Sequence, residues 1–246
     1  MDLIIPDWPA PDVVQACFTT RAGGVSQGVY AGLNVGAHVG DELAAVANNR
    51  QQLQHHLQLA QMPLWLNQVH GTDVYELLAG AYPVPPPTAD AAVCRVRGAA
   101  LSVMTADCLP VLFCDTEGRV VASAHAGWRG LCHGVLEKTV TSMAVEPAAI
   151  LAWLGPAIGP EAFEVGDDVR QAFVGVDSSA STAFVALGGG KWLANLYLLA
   201  RQRLNRIGVQ RIYGGDLCTY SDRSRFYSYR RDGQTGRMTG LIWLAS

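Results

Sequence analysis

Apolar positions along the chain gather into short runs divided by stretches of mixed polarity, a pattern that predicts strands alternating with amphipathic helices. Strands are predicted over residues 16–20, 64–69, 73–78, 101–105, 110–114, 119–125, 150–154, 211–213 and 241–244. The segment 41–60 places Leu43, Val46, Arg50, Leu53, Leu57 and Ala60 at steps of three and four, the spacing of one helix face. Further helices are predicted over 130–143, 167–174 and 193–207. The strands at 101–105, 110–114 and 119–125 are joined by connections too short for a crossover helix, so part of the sheet must be antiparallel. The expected class is α+β, with a mixed β-sheet flanked by helices. Two segments interrupt the pattern: the proline-rich stretch 82–87, a possible stiff linker, and the Ser- and Gly-rich stretch 176–191, expected as a loop.

Composition narrows the function classes. Of 246 residues, 50% are hydrophobic and 16% charged, against roughly 25% charged in soluble chains, so core material is ample. The net charge is −3 and the arginines are scattered, without the basic stripe of a nucleic-acid binder. No apolar run reaches the length of a membrane span, and Asp2 stands where a signal peptide would be basic. The expectation is a cytoplasmic protein with no nucleic-acid, membrane or protein partner. Six cysteines in a chain this long do not make a disulfide scaffold.

The stretch Gly24-Val25-Ser26-Gln27-Gly28 fits the G-x-S-x-G pattern, but it continues into a Gly-rich loop rather than a helix, so Ser26 reads as a turn residue rather than a nucleophile. Three other stretches put a soft ligand at a predicted strand end: Asn67 to Asp73 with His70, Thr105 to Pro110 with Cys108, and His125 to Gly130. If they meet, His70, Cys108 and His125 suit a catalytic Zn²⁺ with one open position. The same residues also suit a Cys108 nucleophile activated by His125 or His70, or merely satisfied buried side chains. Their spacing decides among none of these.

The chain resembles the YfiH family, also called the peptidoglycan editing factor or polyphenol oxidase/laccase-domain family. The resemblance rests on Arg21-Ala-Gly-Gly-Val-Ser-Gln-Gly, Leu33-Asn34-Val-Gly, His38-Val-Gly-Asp, Gln68-Val-His-Gly, Thr105-Ala-Asp-Cys-Leu-Pro and His125-Ala-Gly-Trp-Arg-Gly. It continues through Leu154-Gly-Pro-Ala-Ile-Gly-Pro, Phe163-Glu-Val-Gly, Cys218-Thr, Phe226-Tyr-Ser-Tyr-Arg-Arg-Asp and Thr235-Gly-Arg. Departures are small: Asp90-Ala-Ala-Val-Cys94 lacks an expected Thr, and Asn195 replaces an Asp.

The resemblance implies one YfiH-like (cysteine-hydrolase-like) domain over 1–246, with Zn²⁺ on His70, Cys108 and His125. It also implies purine nucleoside phosphorylase activity on adenosine, inosine and methylthioadenosine, with adenosine deamination beside it. The substrates would be a small-molecule nucleoside and phosphate. Arg21 and Arg129, the arginines nearest the motifs, are the expected phosphate ligands because a guanidinium fork matches phosphate; Asn34 is the expected ribose or base contact. Copper is less favoured, since a multicopper cluster needs many imidazoles and the chain has six His. Zinc deamination by the H-x-E route lacks its motif; Asp107, Asp73 and Asp90 are the substitute proton carriers. The rival readings are a Cys108/His125 amidase that edits cell-wall precursors by removing L-serine, and a metal-binding module without turnover.

Overall fold

The computed structural model describes residues 1–78 and 82–245. The chain opens with β1 (Leu3–Ile4) and β2 (Val14–Thr19), then passes through α1 (Leu43–His56), β3 (Val74–Leu77) and β4 (Ala91–Cys94). A meander of β5 (Leu101–Thr105), β6 (Leu109–Asp115) and β7 (Val121–Ala126) leads into α2 (Trp128–His133), α3 (Val135–Met143) and β8 (Ile150–Leu154). Next come β9 (Glu164–Gly166), α4 (Asp167–Val176), β10 (Phe184–Gly188), β11 (Lys191–Ala194) and α5 (Leu196–Arg206). The chain closes with β12 (Arg211–Gly214), α6 (Tyr229–Asp232) and β13 (Met238–Leu244).

These strands build three sheets rather than one. The largest runs β12-β8-β6-β7-β4-β3; its outer pairs are parallel and its inner ones antiparallel, so it is mixed as expected. An antiparallel sheet β1-β2-β13-β5 covers one face, and a small sheet β10-β11-β9 lies apart. Side chains alternate across a strand. Val111 and Phe113 of β6 therefore pack with Leu136, Val140 and Leu204 on the helical side, while Leu112 and Cys114 pack with Phe18, Leu101 and Phe226. Both faces of β6 are buried, which is why it reads as an unbroken apolar run.

Four expectations change. Residues 64–69 form no strand, only single bridges at Leu64↔Leu101 and Asn67↔Thr88. The helix expected over 130–143 breaks into α2 and α3 at Gly134, whose φ of 96° leaves the helical region. The stretch 176–191 carries a 3₁₀ turn and β10, whose hairpin with β11 closes through Gly188, Gly189 and Gly190, all at positive φ. The helix expected from 193 starts at Leu196, because 191–194 is a strand; Asn195 caps it by accepting from Leu198 N at 2.9 Å. Segment 82–87 marks no domain boundary, since β3 and β4 on its two sides pair in parallel. Among the described residues no helix is long and apolar enough to cross a membrane.

Candidate metal centre and its pocket

Cys108 lies at the crossing between β5 and β6, strands of two different sheets; His125 is next to last in β7, and His70 sits in the turn before β3. Sheet pairing brings them together: one ligand atom from each lies within 4.8 Å of those of the other two. Cys108 Sγ is 3.8 Å from His70 Nε2, and the two imidazoles meet edge to face with centroids 4.8 Å apart.

Asp90 organises two of the three. It is fully buried, and His125 Nδ1 donates to its Oδ1 at 2.8 Å, which leaves His125 Nε2 for the centre. The same carboxylate accepts from the backbone N–H groups of Val69 (3.1 Å), His70 (2.9 Å) and Gly71 (2.7 Å). Three successive amides closing on one carboxylate form an anion nest, and they sustain His70 at a φ of 61°, a region costly for a side-chain residue. Burial opposes the Asp90 charge, but the hydrogen bonds from His125 and the turn win, and its carboxyl titrates below the usual range.

Burial likewise works against a Cys108 thiolate, yet the charge and hydrogen bonds of His125 and His70 bring it down to about 6; His125 rises, against its own burial, through Cys108 and Asp90. The pair favours thiolate beside imidazolium, and Cys108 is poised as a soft donor. Asp107 does not line the pocket; it stands in the bend between β5 and β6 at a φ of 94°. Its carboxylate accepts from Thr219 Oγ1 (2.7 Å), Ser228 Oγ (3.0 Å) and Arg230 N (2.6 Å), binding the Cys108 turn to the C-terminal segment.

Gly127 forms the floor. A Cβ there would stand 2.9 Å from His70 Cδ2 and 3.0 Å from Cys108 Sγ, so the space between the donors exists only because residue 127 has no side chain. Gly127→Ala is expected to keep the fold and to lower affinity for a divalent metal ion by about tenfold or more, measured by competition with a chromophoric chelator; unchanged affinity would mean that the three side chains do not hold a metal here.

The centre opens into a pocket of about 390 Å³ lined by His38, Gln68, Met104, Thr105, Tyr229 and Arg237 beside the three donors. Gln68 shapes its wall: its side-chain amide donates to Met104 O (2.9 Å) and accepts from Met104 N (2.8 Å), capping the edge of β5. The arginines expected from the sequence do not line this pocket. Arg21 lies over the Tyr227 ring at 4.6 Å and donates to Ala31 O, while Arg129 is exposed against Trp128. Asn34 is fully buried with its amide spent on Asp41, Gly36 and Arg237 backbone N, so it positions rather than contacts a ligand. Ser26 is buried between Asp41 and Asn49, the turn role expected of it.

Sequence reasoning left Asp90 unranked and passed over Arg237. The available signals were Asp90 at the start of an apolar run and Arg237 within the Thr235-Gly-Arg motif.

Fold and centre together define a mixed α/β protein with a two-histidine, one-cysteine centre at the junction of its two larger sheets. The sequence model of the family described as multi-copper polyphenol oxidoreductase laccase matches residues 15–245. A relative from Escherichia coli (strain K12), named purine nucleoside phosphorylase YfiH, is 55% identical over 242 residues, 98% of each chain. One from Pseudomonas aeruginosa, named purine nucleoside phosphorylase PA4543, is 53% identical over the same share. The crystal structure of Neisseria meningitidis protein NMB0706 superimposes with a TM-score of 0.94 at 52% identity, covering 100% of both chains. The chain belongs to the YfiH family.

Proposed function

We propose that this protein is a zinc-dependent purine nucleoside phosphorylase acting at the His70–Cys108–His125 pocket. The carrying observation is a metal-type donor set at the base of a pocket whose volume suits a nucleoside-sized ligand, in a chain 55% identical to a relative of that name. Two imidazoles and a thiolate around a side-chain-free floor fit zinc. Bound there, zinc supplies Lewis acidity and a positive charge. Multicopper chemistry is less well supported: of the remaining histidines His55 and His56 lie on α1, His133 lies on α2, and His38 alone joins the pocket.

The chain's residues bind and orient. Asp90 keeps the His125 Nδ1 proton in place, Gln68 and Met104 form a rigid wall, and Tyr229 offers a ring at the mouth. In phosphorolysis a phosphate oxygen bonds to C1′ of the ribose as the C1′–N9 bond breaks. The electron pair leaves on the purine, which takes up the proton of the attacking hydrogenphosphate, and ribose 1-phosphate is the other product, so this reaction needs no carboxylate proton carrier. Adenosine deamination would need a resident proton carrier. Asp107 and Asp90 are committed to other partners, Asp73 is 83% exposed, and among the described residues no carboxylate lines the pocket. Phosphorolysis is therefore preferred. The thiolate beside His125 also fits an amidase nucleophile acting on serine-containing cell-wall precursors, but a thiolate bound to zinc cannot attack.

Zinc-loaded protein with adenosine or inosine is expected to release free base and ribose 1-phosphate only when phosphate is present, resolved by chromatography. Base release without phosphate, or none from any purine nucleoside, would sink this reading.

A further inference from the structure

The pocket that holds the three donors contains one arginine, Arg237, and the chain does much to place it. Its backbone N–H donates to Asn34 Oδ1 at 2.8 Å, and its carbonyl accepts from Val35 N at 3.1 Å. Gly36 lies so close that a Cβ there would stand 2.7 Å from Arg237 Cγ. Yet the guanidinium has little to do within the chain. Only Nη1 is engaged, with the carbonyls of Thr235 (3.0 Å) and Gly236 (3.1 Å); among the described residues Nε and Nη2 have no hydrogen-bond partner and no carboxylate pairs with the group. Arg237 also lines a second hollow of about 340 Å³, with His38 and Tyr229 common to both.

A second observation points to the same place. Thr105 is 2% exposed and lines the metal pocket, and among the described residues its hydroxyl has no hydrogen-bond partner. Buried hydroxyls in native proteins are almost always satisfied, and this one, unlike the buried Ser123 hydroxyl, faces a pocket where a ligand oxygen can supply the partner. Met238, next to Arg237, is the direct cross-strand partner of Thr105. Both residues line the metal pocket, Thr105 at the end of β5 and Arg237 just before the start of β13.

We propose that Arg237 and Thr105 form a subsite for a phosphoryl dianion at the mouth of the metal pocket. A planar N–H edge matches two phosphate oxygens, and a threonine O–H donates to a third. The assignment of the ligand as phosphate rather than another anion rests on the phosphorylase reading. Phosphate of this kind has two sources, inorganic phosphate as co-substrate or the 5′-ester of a nucleotide, and the subsite as built serves either.

The test is calorimetric titration of the zinc-loaded protein with inorganic phosphate and with adenosine 5′-monophosphate, beside phosphorolysis kinetics. Arg237→Met is expected to weaken phosphate binding about 30-fold or more, to raise KM for phosphate in parallel, and to leave zinc content and KM for adenosine within about threefold of wild type. Arg237→Lys should restore part of the binding, and Thr105→Val should lose about tenfold where Thr105→Ser loses little. Tighter Arg237-dependent binding of the monophosphate than of phosphate plus adenosine assigns the subsite to the nucleotide ester; the reverse assigns it to the co-substrate. Equal phosphate affinity in wild type and Arg237→Met, or no anion binding by the zinc-loaded wild type, overturns the subsite. Base release by Arg237→Met with the wild-type KM for phosphate would sink the subsite alone, whereas Arg237-dependent phosphate binding without base release would sink the phosphorylase reading alone.

Discussion

Cys108→Ala is expected to lose about a hundredfold or more in zinc affinity and about a thousandfold in phosphate-dependent base release, with its melting temperature nearly unchanged. Cys108 is the sole thiolate of the cluster, and His125 and His70 hold it as an anion near neutrality. Removing it leaves two imidazoles, of which only His125 is buried and fixed by Asp90. Its partial exposure means that truncation empties little packed volume, so the fold should survive. Metal content by mass spectrometry and base release by chromatography would be measured on one preparation. A zinc-free variant with full activity would remove the metal from the mechanism. Wild-type protein that works without zinc and traps a covalent adduct on Cys108 would favour the amidase.

Asp90→Ala is expected to do more damage than removing a ligand, because one buried carboxylate serves the centre and the turn together. It accepts from His125 Nδ1 and from three backbone amides, and alanine leaves all four donors without it. Breaking a buried charged network of this kind costs about 3–5 kcal/mol, or about 10 °C in a chain of this size. Without the nest, nothing sustains His70 at its positive φ, so zinc should be lost even in molecules that remain folded.

The pH dependence has a definite sign. The folded Asp90 carboxyl titrates below its unfolded value, so its stabilisation is fully present above about pH 4 and fades as pH falls through the folded value. The gap between wild type and Asp90→Asn in urea midpoints should therefore be widest at neutral pH and close in acid. A gap that widens in acid would mean that Asp90 is held protonated, and that this account of the turn is wrong.

Much of the site was legible one motif at a time. His125 sits at the end of β7, Cys108 in the bend between β5 and β6, and His70 in the turn before β3, and such turns and strand ends present side chains. The strands β5, β6 and β7 were likewise readable, because each is a short, mostly apolar run, buried throughout and bounded by turn residues. The partition into three sheets was not, since β5 and β6 are adjacent in sequence yet belong to different sheets. Residues 64–69 have a strand's composition but gain only isolated bridges, because pairing, not propensity, makes a strand. Arginine assignment by sequence distance chose Arg21 and Arg129, and neither lines the pocket.

The sequence by itself marked His70, Cys108 and His125 as candidate donors, made them a set through the family motifs, and indicated an α+β class with a mixed sheet, because side-chain chemistry and local periodicity are properties of a few neighbouring residues. Only the tertiary structure decided that Asp90 would clamp two of those donors and that Arg237 would be the arginine facing them. The first depends on β4 pairing with β7, the second on β13 pairing with β5. Such pairings join residues far apart in the chain through backbone hydrogen bonds that every residue type can make, so no local pattern of side chains announces them.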